Sequence, residues 1–194
     1  NEKTITVSSS VAGEGKSTTA INIAVAFSQL GCRVLLIDAD MRKSVLVGRH
    51  RISKGISGLS HFLSGYKELD DVLCVTNVPN LYMILAGPVP PNPSELIGST
   101  AFASFMTMVK NQYDYIILDT PPIGVVTDTL LLKEHIAGYT MIVREKVTTH
   151  GDIERAIQAV KLADSKILGF LKVGCSLQDR KKYKKGNYGY YKYY

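Results

Sequence analysis

Long hydrophobic runs are absent from this sequence, and so is any uninterrupted apolar stretch near the ~20 residues that span a bilayer. The apolar runs are strand-sized, such as Val34-Leu35-Leu36-Ile37 and Ile116-Ile117-Leu118. Nothing at the start of the sequence resembles a signal peptide, because Asn1-Glu2-Lys3 leads straight into a strand-like Thr4-Ile5-Thr6-Val7. The first residue is not Met, which is what a piece of a longer chain would show. Cysteine is scarce: Cys32, Cys74 and Cys175 are widely spaced, odd in number and in no metal pattern. That usage suits idle thiols in a reducing cytoplasm better than a disulfide framework.

Acidic residues are lacking from one region only. The net charge is +6, and all six surplus cations lie in the last 15 residues: Arg180, Lys181, Lys182, Lys184, Lys185 and Lys192. The rest of the chain is formally neutral, so the basic balance describes a tail and not a binding face. A nucleic-acid-binding role for the whole domain loses its footing here. With 194 residues, 45% hydrophobic and 21% charged, the chain suits one substantial core-forming domain.

Short apolar runs alternate with longer helical patterns, which predicts βαβ units and a mainly parallel sheet flanked by helices. Strands are predicted over 4–8, 33–38, 81–85, 115–119, 139–143 and 167–171. Helices are predicted from Lys16 or Ser17 to Leu30, with Gly31 as a stop, and over 94–111, 127–135 and 150–163. Residues 1–179 form the predicted domain. Residues 180–194 hold no aliphatic side chain and cannot build a core, so they are predicted to be a flexible tail.

The segment Ser8-Ser9-Ser10-Val11-Ala12-Gly13-Glu14-Gly15-Lys16-Ser17-Thr18 falls between the first strand and the first helix. Gly13, Glu14 and Gly15 can turn backbone N–H groups around phosphate oxygens, and the helix N-terminus adds a favourable dipole. Lys16 would reach the β- and γ-phosphates, Ser17 would ligate Mg²⁺, and Thr18 would touch the α-phosphate. The strict P-loop pattern places Gly where Ser10 stands.

Two further strands end in carboxylates: Leu35-Leu36-Ile37-Asp38-Ala39-Asp40-Met41-Arg42 and Ile116-Ile117-Leu118-Asp119-Thr120-Pro121-Pro122. Open α/β sheets bind ligands at the carboxyl ends of their strands, so Asp38, Asp40 and Asp119 should converge on the phosphate loop. A single strand-end Asp more often forms a turn. Three beside a phosphate loop point to Mg²⁺ and phosphoryl chemistry. Asp40 and Asp119 would hold the ion and its waters. Asp38 is then the candidate to take a proton, and Arg42 the partner that balances the acidic cluster or serves at an interface.

Gly13-Glu14-Gly15-Lys16-Ser17-Thr18, Asp38-Ala39-Asp40-Met41-Arg42 and Asp119-Thr120-Pro121-Pro122 together resemble the Walker-motif bacterial tyrosine kinases, or BY-kinases. Gly58-Leu59-Ser60 through Leu63, Gly87-Pro88-Val89-Pro90-Pro91-Asn92-Pro93-Ser94-Glu95-Leu96 and Val126-Thr127-Asp128 extend the resemblance over almost the whole chain. The three Walker-type motifs also suit Min and Par ATPases, but Val11 stands where that group carries its signature lysine. Lys172-Val173-Gly174-Cys175 stands where the kinases place an Asn near the base. A Glu/Arg-patterned helix that precedes the first strand in the family is not part of this sequence.

The resemblance implies an ATP- and Mg²⁺-dependent kinase of capsule and exopolysaccharide synthesis. Such a kinase works in the cytoplasm at the inner face of the bacterial cell membrane. Implied partners are a membrane activator of polysaccharide co-polymerase type, a cognate tyrosine phosphatase, other protein tyrosine substrates and further copies of the chain in a ring. Six of the 11 tyrosines are Tyr183, Tyr188, Tyr190, Tyr191, Tyr193 and Tyr194, and the family supports reading them as an autophosphorylation cluster. An aromatic edge strand and a Lys/Tyr segment that binds polyanions are the other readings of that tail. Two rival functions stay open for the whole chain: a Min/Par-like ATPase switch and a non-catalytic nucleotide-gated scaffold.

Overall fold

The computed structural model describes residues 3–46 and 57–175. The tail and its tyrosine cluster lie outside the described residues. Seven strands form one sheet: β1 (Thr4–Ser9), β2 (Val34–Asp38), β3 (Leu73–Val75), β4 (Leu81–Ile84), β5 (Tyr115–Asp119), β6 (Gly138–Arg144) and β7 (Ile167–Val173). Their spatial order is β3-β4-β2-β5-β1-β6-β7, and β3 alone runs antiparallel, beside β4. The α/β class with a mainly parallel sheet is as expected.

Both faces of the sheet are covered, which explains why the strands read as unbroken apolar runs. On one face lies α1 (Lys16–Gln29), which buries the small Ala20 and Ala24 against Val7, Val34, Leu36 and Ile117. Small side chains let the helix approach closely, and Phe27 stacks on Tyr115 with ring centroids 4.4 Å apart. On the other face, α5 (Thr100–Gln112) presents Phe102, Phe105, Met106 and Val109, the i, i+3, i+4, i+7 stripe of a core-facing helix. Beside it α6 (His150–Leu162) buries Ala156 and Val160. Tyr139 joins this core fully buried and donates from its hydroxyl to the Thr129 carbonyl at 2.9 Å.

Three features depart from the sequence expectations. The helix predicted over 94–111 is two helices, α4 (Pro93–Ile97) and α5. The break falls at Gly98-Ser99, because the Ser99 hydroxyl accepts the Phe102 N–H and starts a fresh helix. The helix predicted over 127–135 is a 3₁₀ helix (Asp128–His135). Its Thr129 carbonyl is bonded to Tyr139 and its Thr129 hydroxyl to the Pro121 carbonyl, so tertiary contacts compete with regular α-helical pairing. Strand β3 and the short helices α2 (Leu59–Leu63) and α3 (Leu69–Val72) had no counterpart in the sequence reading. Each spans too few residues to show a period.

The stretches Gly58-Leu59-Ser60 and Gly87-Pro88, remote in sequence, meet in the fold. Leu59 and Ser60 donate their N–H groups to the carbonyls of Leu85 and Ala86 at 2.7 and 3.0 Å. The Ser60 hydroxyl donates to the Pro88 carbonyl at 2.8 Å.

Candidate functional site

Parallel pairing decides what meets at the carboxyl edge of the sheet. In register, Val7 of β1 pairs with Asp119 of β5, and Asp38 of β2 also pairs with Asp119. The phosphate loop follows β1 directly, so the loop and both strand-end acids share one edge, where α/β sheets take their ligands. Asp38, Asp40 and Asp119 are 0%, 8% and 1% exposed. All three expected acids are thus brought together.

The loop itself bends through Gly13 and Gly15, at φ of 81° and 95°, where an L side chain would be strained. Gly15 is the N-cap of α1, and no side chain caps that helix end or places an acid in its first turn. A helix start of this kind offers N–H groups and a favourable dipole to an anion such as phosphate. Lys16 and Ser17 are buried in that first turn, and Thr18 is exposed beside them. The Ser10 hydroxyl in the same loop is buried with no hydrogen-bond partner among the described residues. Behind the loop, Ile123 donates its N–H to the Ser9 carbonyl at 2.9 Å. The Gly124 backbone lies so close that a Cβ there would sit 2.2 Å from the Ser10 oxygen.

The Asp38 carboxyl is pushed up to about 7, first by burial and then by the neighbouring charge of Asp119. Two donors oppose that rise. The Ser44 hydroxyl donates to Oδ2 at 2.5 Å, and the Asp40 N–H donates to Oδ1 at 3.2 Å. Asp40 in turn accepts the Lys43 N–H at 2.9 Å, which folds the segment after β2 back over its own end.

This local excess of negative charge fits a divalent cation. Among the described residues no three Asp, Glu, His or Cys side chains form a metal-binding group. The residues of this edge that could hold such an ion, directly or through water, are few: Ser17, Asp40 and Asp119. That sparse ligation suits Mg²⁺ bound with a nucleotide.

Two residues have partners that the sequence did not name. Arg42 was expected to be a structural or charge-balancing partner of the acidic cluster or to serve at an interface, and its hydrogen bonds run to Asp128 and Ser94. Its Nε donates to Asp128 Oδ2 at 2.6 Å, and its Nη2 to Asp128 Oδ1 at 3.1 Å and Ser94 Oγ at 3.0 Å. Asp40 adds only a through-space attraction to it. The physical reason is geometric: Asp128 offers two oxygens to the planar guanidinium fork. Glu14 was expected to offer its backbone N–H to phosphate within the loop; its side chain, of which nothing was predicted, is fully buried and accepts hydrogen bonds from the Val11 N–H and the Thr148 hydroxyl. Sequence reasoning missed Ser44, Thr148 and Arg144 around this edge. None of them lies in a motif; the fold carries Thr148 and Arg144 to the loop, and Ser44 turns back onto Asp38.

Known proteins share this chain's sequence and architecture. A family model described as the AAA domain matches residues 2–168. The tyrosine-protein kinase CpsD of Streptococcus agalactiae is 39% identical over 189 residues, covering 96% of this chain and 82% of the relative. The tyrosine-protein kinase YwqD of Bacillus subtilis strain 168 is 34% identical, covering 97% of this chain and 77% of the relative. Among solved structures, the chimerical protein CapA2B2 superposes with a TM-score of 0.84 at 32% identity, over 89% of this chain and 76% of that one. The septum site-determining protein MinD of Pyrococcus horikoshii, solved with Mg-ADP, shares the fold at a TM-score of 0.72 and 22% identity, over 92% of this chain and 73% of its own. Sequence and architecture together place the chain among the bacterial tyrosine-protein kinases, within the wider AAA-domain class.

Proposed function

We propose that this kinase transfers the γ-phosphoryl group of Mg-ATP to tyrosine hydroxyls, with its own tail cluster among the substrates. The observation that carries the proposal is geometric: β1, which runs into the phosphate loop, pairs with β5, and β5 pairs with β2, so the buried carboxyls of Asp38 and Asp119 stand at the loop's edge of the sheet. An ordinary carboxylate is a feeble base toward a phenol whose pKa is about 10. Raised to about 7, Asp38 is better matched to take that proton at neutral pH.

Phosphoryl transfer asks the protein mainly for position and charge. Lys16 and the loop N–H groups would hold the phosphates, and Ser17, Asp40 and Asp119 would hold the ion. Bound Mg²⁺ would supply charge neutralisation at the transferring phosphate. The tyrosine oxygen attacks phosphorus, the bond to the ADP oxygen breaks, and the phenolic proton passes to Asp38 late along the path. Ser44 and the Asp40 N–H keep the Asp38 carboxylate oriented for that proton.

Tyr183, Tyr188, Tyr190, Tyr191, Tyr193 and Tyr194 in residues 180–194 are the proposed acceptors. Their density without aliphatic neighbours suits a substrate segment better than a core. The family resemblance further supports a role in capsule and exopolysaccharide synthesis at the inner face of the cell membrane. A co-polymerase-type activator, a cognate phosphatase and further copies of the chain would be its partners there. Among the described residues no helix is long and apolar enough to cross a membrane.

The test is incubation with Mg-ATP followed by intact-mass measurement and peptide mapping. Added phosphates on peptides from 180–194 are expected, and the cytosolic segment of such an activator should speed their appearance. ADP release with no added mass on any tyrosine would overturn this reading in favour of an ATPase switch.

A further inference from the structure

A glycine-rich loop is conformationally loose, and a loop that must meet phosphate at fixed points needs its shape held from outside. Here the holding comes from the connection between β6 and α6. The fully buried Glu14 accepts the Val11 N–H on Oε2 at 2.8 Å and the Thr148 hydroxyl on Oε1. Thr148 Oγ accepts in turn from the Arg144 N–H at 2.8 Å, so backbone, hydroxyl and carboxylate form one directed chain. Independently, Arg144 Nη1 donates to the Gly13 carbonyl at 2.8 Å. A carbonyl and the following N–H point opposite ways in a trans peptide. Pinning the Gly13 oxygen therefore also fixes the direction of the Glu14 N–H.

The connection is itself well anchored. Thr149 and Asp152 form a reciprocal capping box at the start of α6. Glu145 donates its N–H to the Val173 carbonyl at 3.0 Å, which ties the turn to the end of β7. A Cβ on Gly174 would lie 3.5 Å from Arg144 Cγ. Arg144 thus sits between the phosphate loop and the 172–175 stretch, where the sequence resemblance places the nucleotide base.

We propose that Glu14, Thr148 and Arg144 are positioning residues for nucleotide, and that the β6–α6 turn couples the base end of the site to the phosphate loop. The proposal deepens the kinase reading and rests on nucleotide binding at this loop. It assigns Glu14 a role in which its carboxylate acts on the loop from behind and never touches phosphate.

The test is titration of the protein with a fluorescent ADP analogue in Mg²⁺, paired with thermal melting of the nucleotide-free form. Thr148→Val, Glu14→Gln and Arg144→Ala should each weaken binding roughly 5- to 20-fold, the scale of one lost hydrogen bond to a charged or pinned group. Thr148→Ser keeps the hydroxyl and should recover most of the affinity. Thr148→Val leaves a buried carboxylate oxygen without its donor and should also lower the nucleotide-free melting temperature, so affinities are compared well below every transition, where all the variants are folded. Affinity within twofold of wild type for both Thr148→Val and Arg144→Ala would overturn the proposal while leaving the kinase reading intact. A Thr148→Ser protein as weak as Thr148→Val would also overturn it. A wild-type protein that binds no Mg-nucleotide would end both.

Discussion

The Arg42 guanidinium spans both carboxylate oxygens of Asp128, 86 positions further along the chain, at 2.6 and 3.1 Å. Ser94 completes the group by donating to Asp128 Oδ1 at 2.7 Å. The segment after β2, the start of α4 and the 3₁₀ helix are thus tied at one point beside the acid cluster. Burial pushes the Asp128 carboxyl up, but the bonds from Arg42 and Ser94 outweigh it and hold the group below the usual carboxylate range.

Breaking that tie should cost stability. Arg42→Ala is expected to lower the unfolding free energy by about 1–2 kcal/mol, because the arginine is part-exposed and part of its attraction is screened. Asp128 is depressed in the fold, so its contribution is present above its unfolded pKa and lost as pH falls through the folded one. Urea denaturation at pH 7 and pH 3 checks this: the difference between wild type and variant should be clear at pH 7 and shrink at pH 3. A difference as large at pH 3 would show that packing, and not the ion pair, carries the effect.

Lys16→Met should abolish tyrosine phosphorylation and leave the fold intact. The lysine would act on phosphate charge, and methionine fills similar space within the first turn of α1. Residual phosphorylation above about a tenth of wild type at saturating ATP, an allowance of ~1.4 kcal/mol, would remove Lys16 from the site. A circular-dichroism melt would report on the fold.

The three aspartates should separate kinetically. Asp40→Asn and Asp119→Asn are expected to raise the Mg²⁺ concentration needed for half-maximal activity. Asp38→Asn should cut the transfer rate about 10²-fold or more while nucleotide binding stays near normal. If calorimetric titration found Asp38→Asn as impaired in Mg-nucleotide binding as the other two, Asp38 would belong to the ion and not to the proton.

The same Asp38 makes a prediction about the nucleotide-free protein. Its pKa is raised by folding, from 3.8 to about 7, so the folded state favours the protonated form. The penalty of burying the charge is absent below the unfolded pKa, grows between about 4 and 7, and is complete above that. Asp38→Asn does not titrate. Its melting temperature relative to wild type should therefore rise as pH goes from 5 to 8, by an amount corresponding to at most ~3 kcal/mol. A flat difference across that range would mean that Asp38 is already ionised at pH 5.

Much of the site was legible because its signals are local. A strand that ends Leu-Leu-Ile-Asp-Ala-Asp states its own direction, and a Gly-x-Gly-Lys-Ser run before a helical period states where the next helix begins. Register then brings Asp38 and Asp119 side by side without any further information. Contacts across the chain were not legible. Asp128 was visible as part of a motif, but nothing in its neighbourhood named Arg42 as its partner. Glu14 was legible as part of the phosphate loop, but nothing beside it in sequence said where its carboxylate goes, and only the turn before α6 supplies the Thr148 hydroxyl that it accepts from. The break at Gly98-Ser99 was hidden because the apolar period continues through it, while the cap that restarts the helix is a single hydroxyl.

The close approach of Gly124 to Ser10 has a practical use. The seam there is bare main chain on both sides, and even one methyl group has nowhere to go. Gly124→Ala would act as a wedge, displacing the phosphate loop while leaving every ionisable group of the site in the sequence. Such a variant would be a charge-matched inactive control, against which purely electrostatic losses from the lysine and aspartate substitutions could be judged.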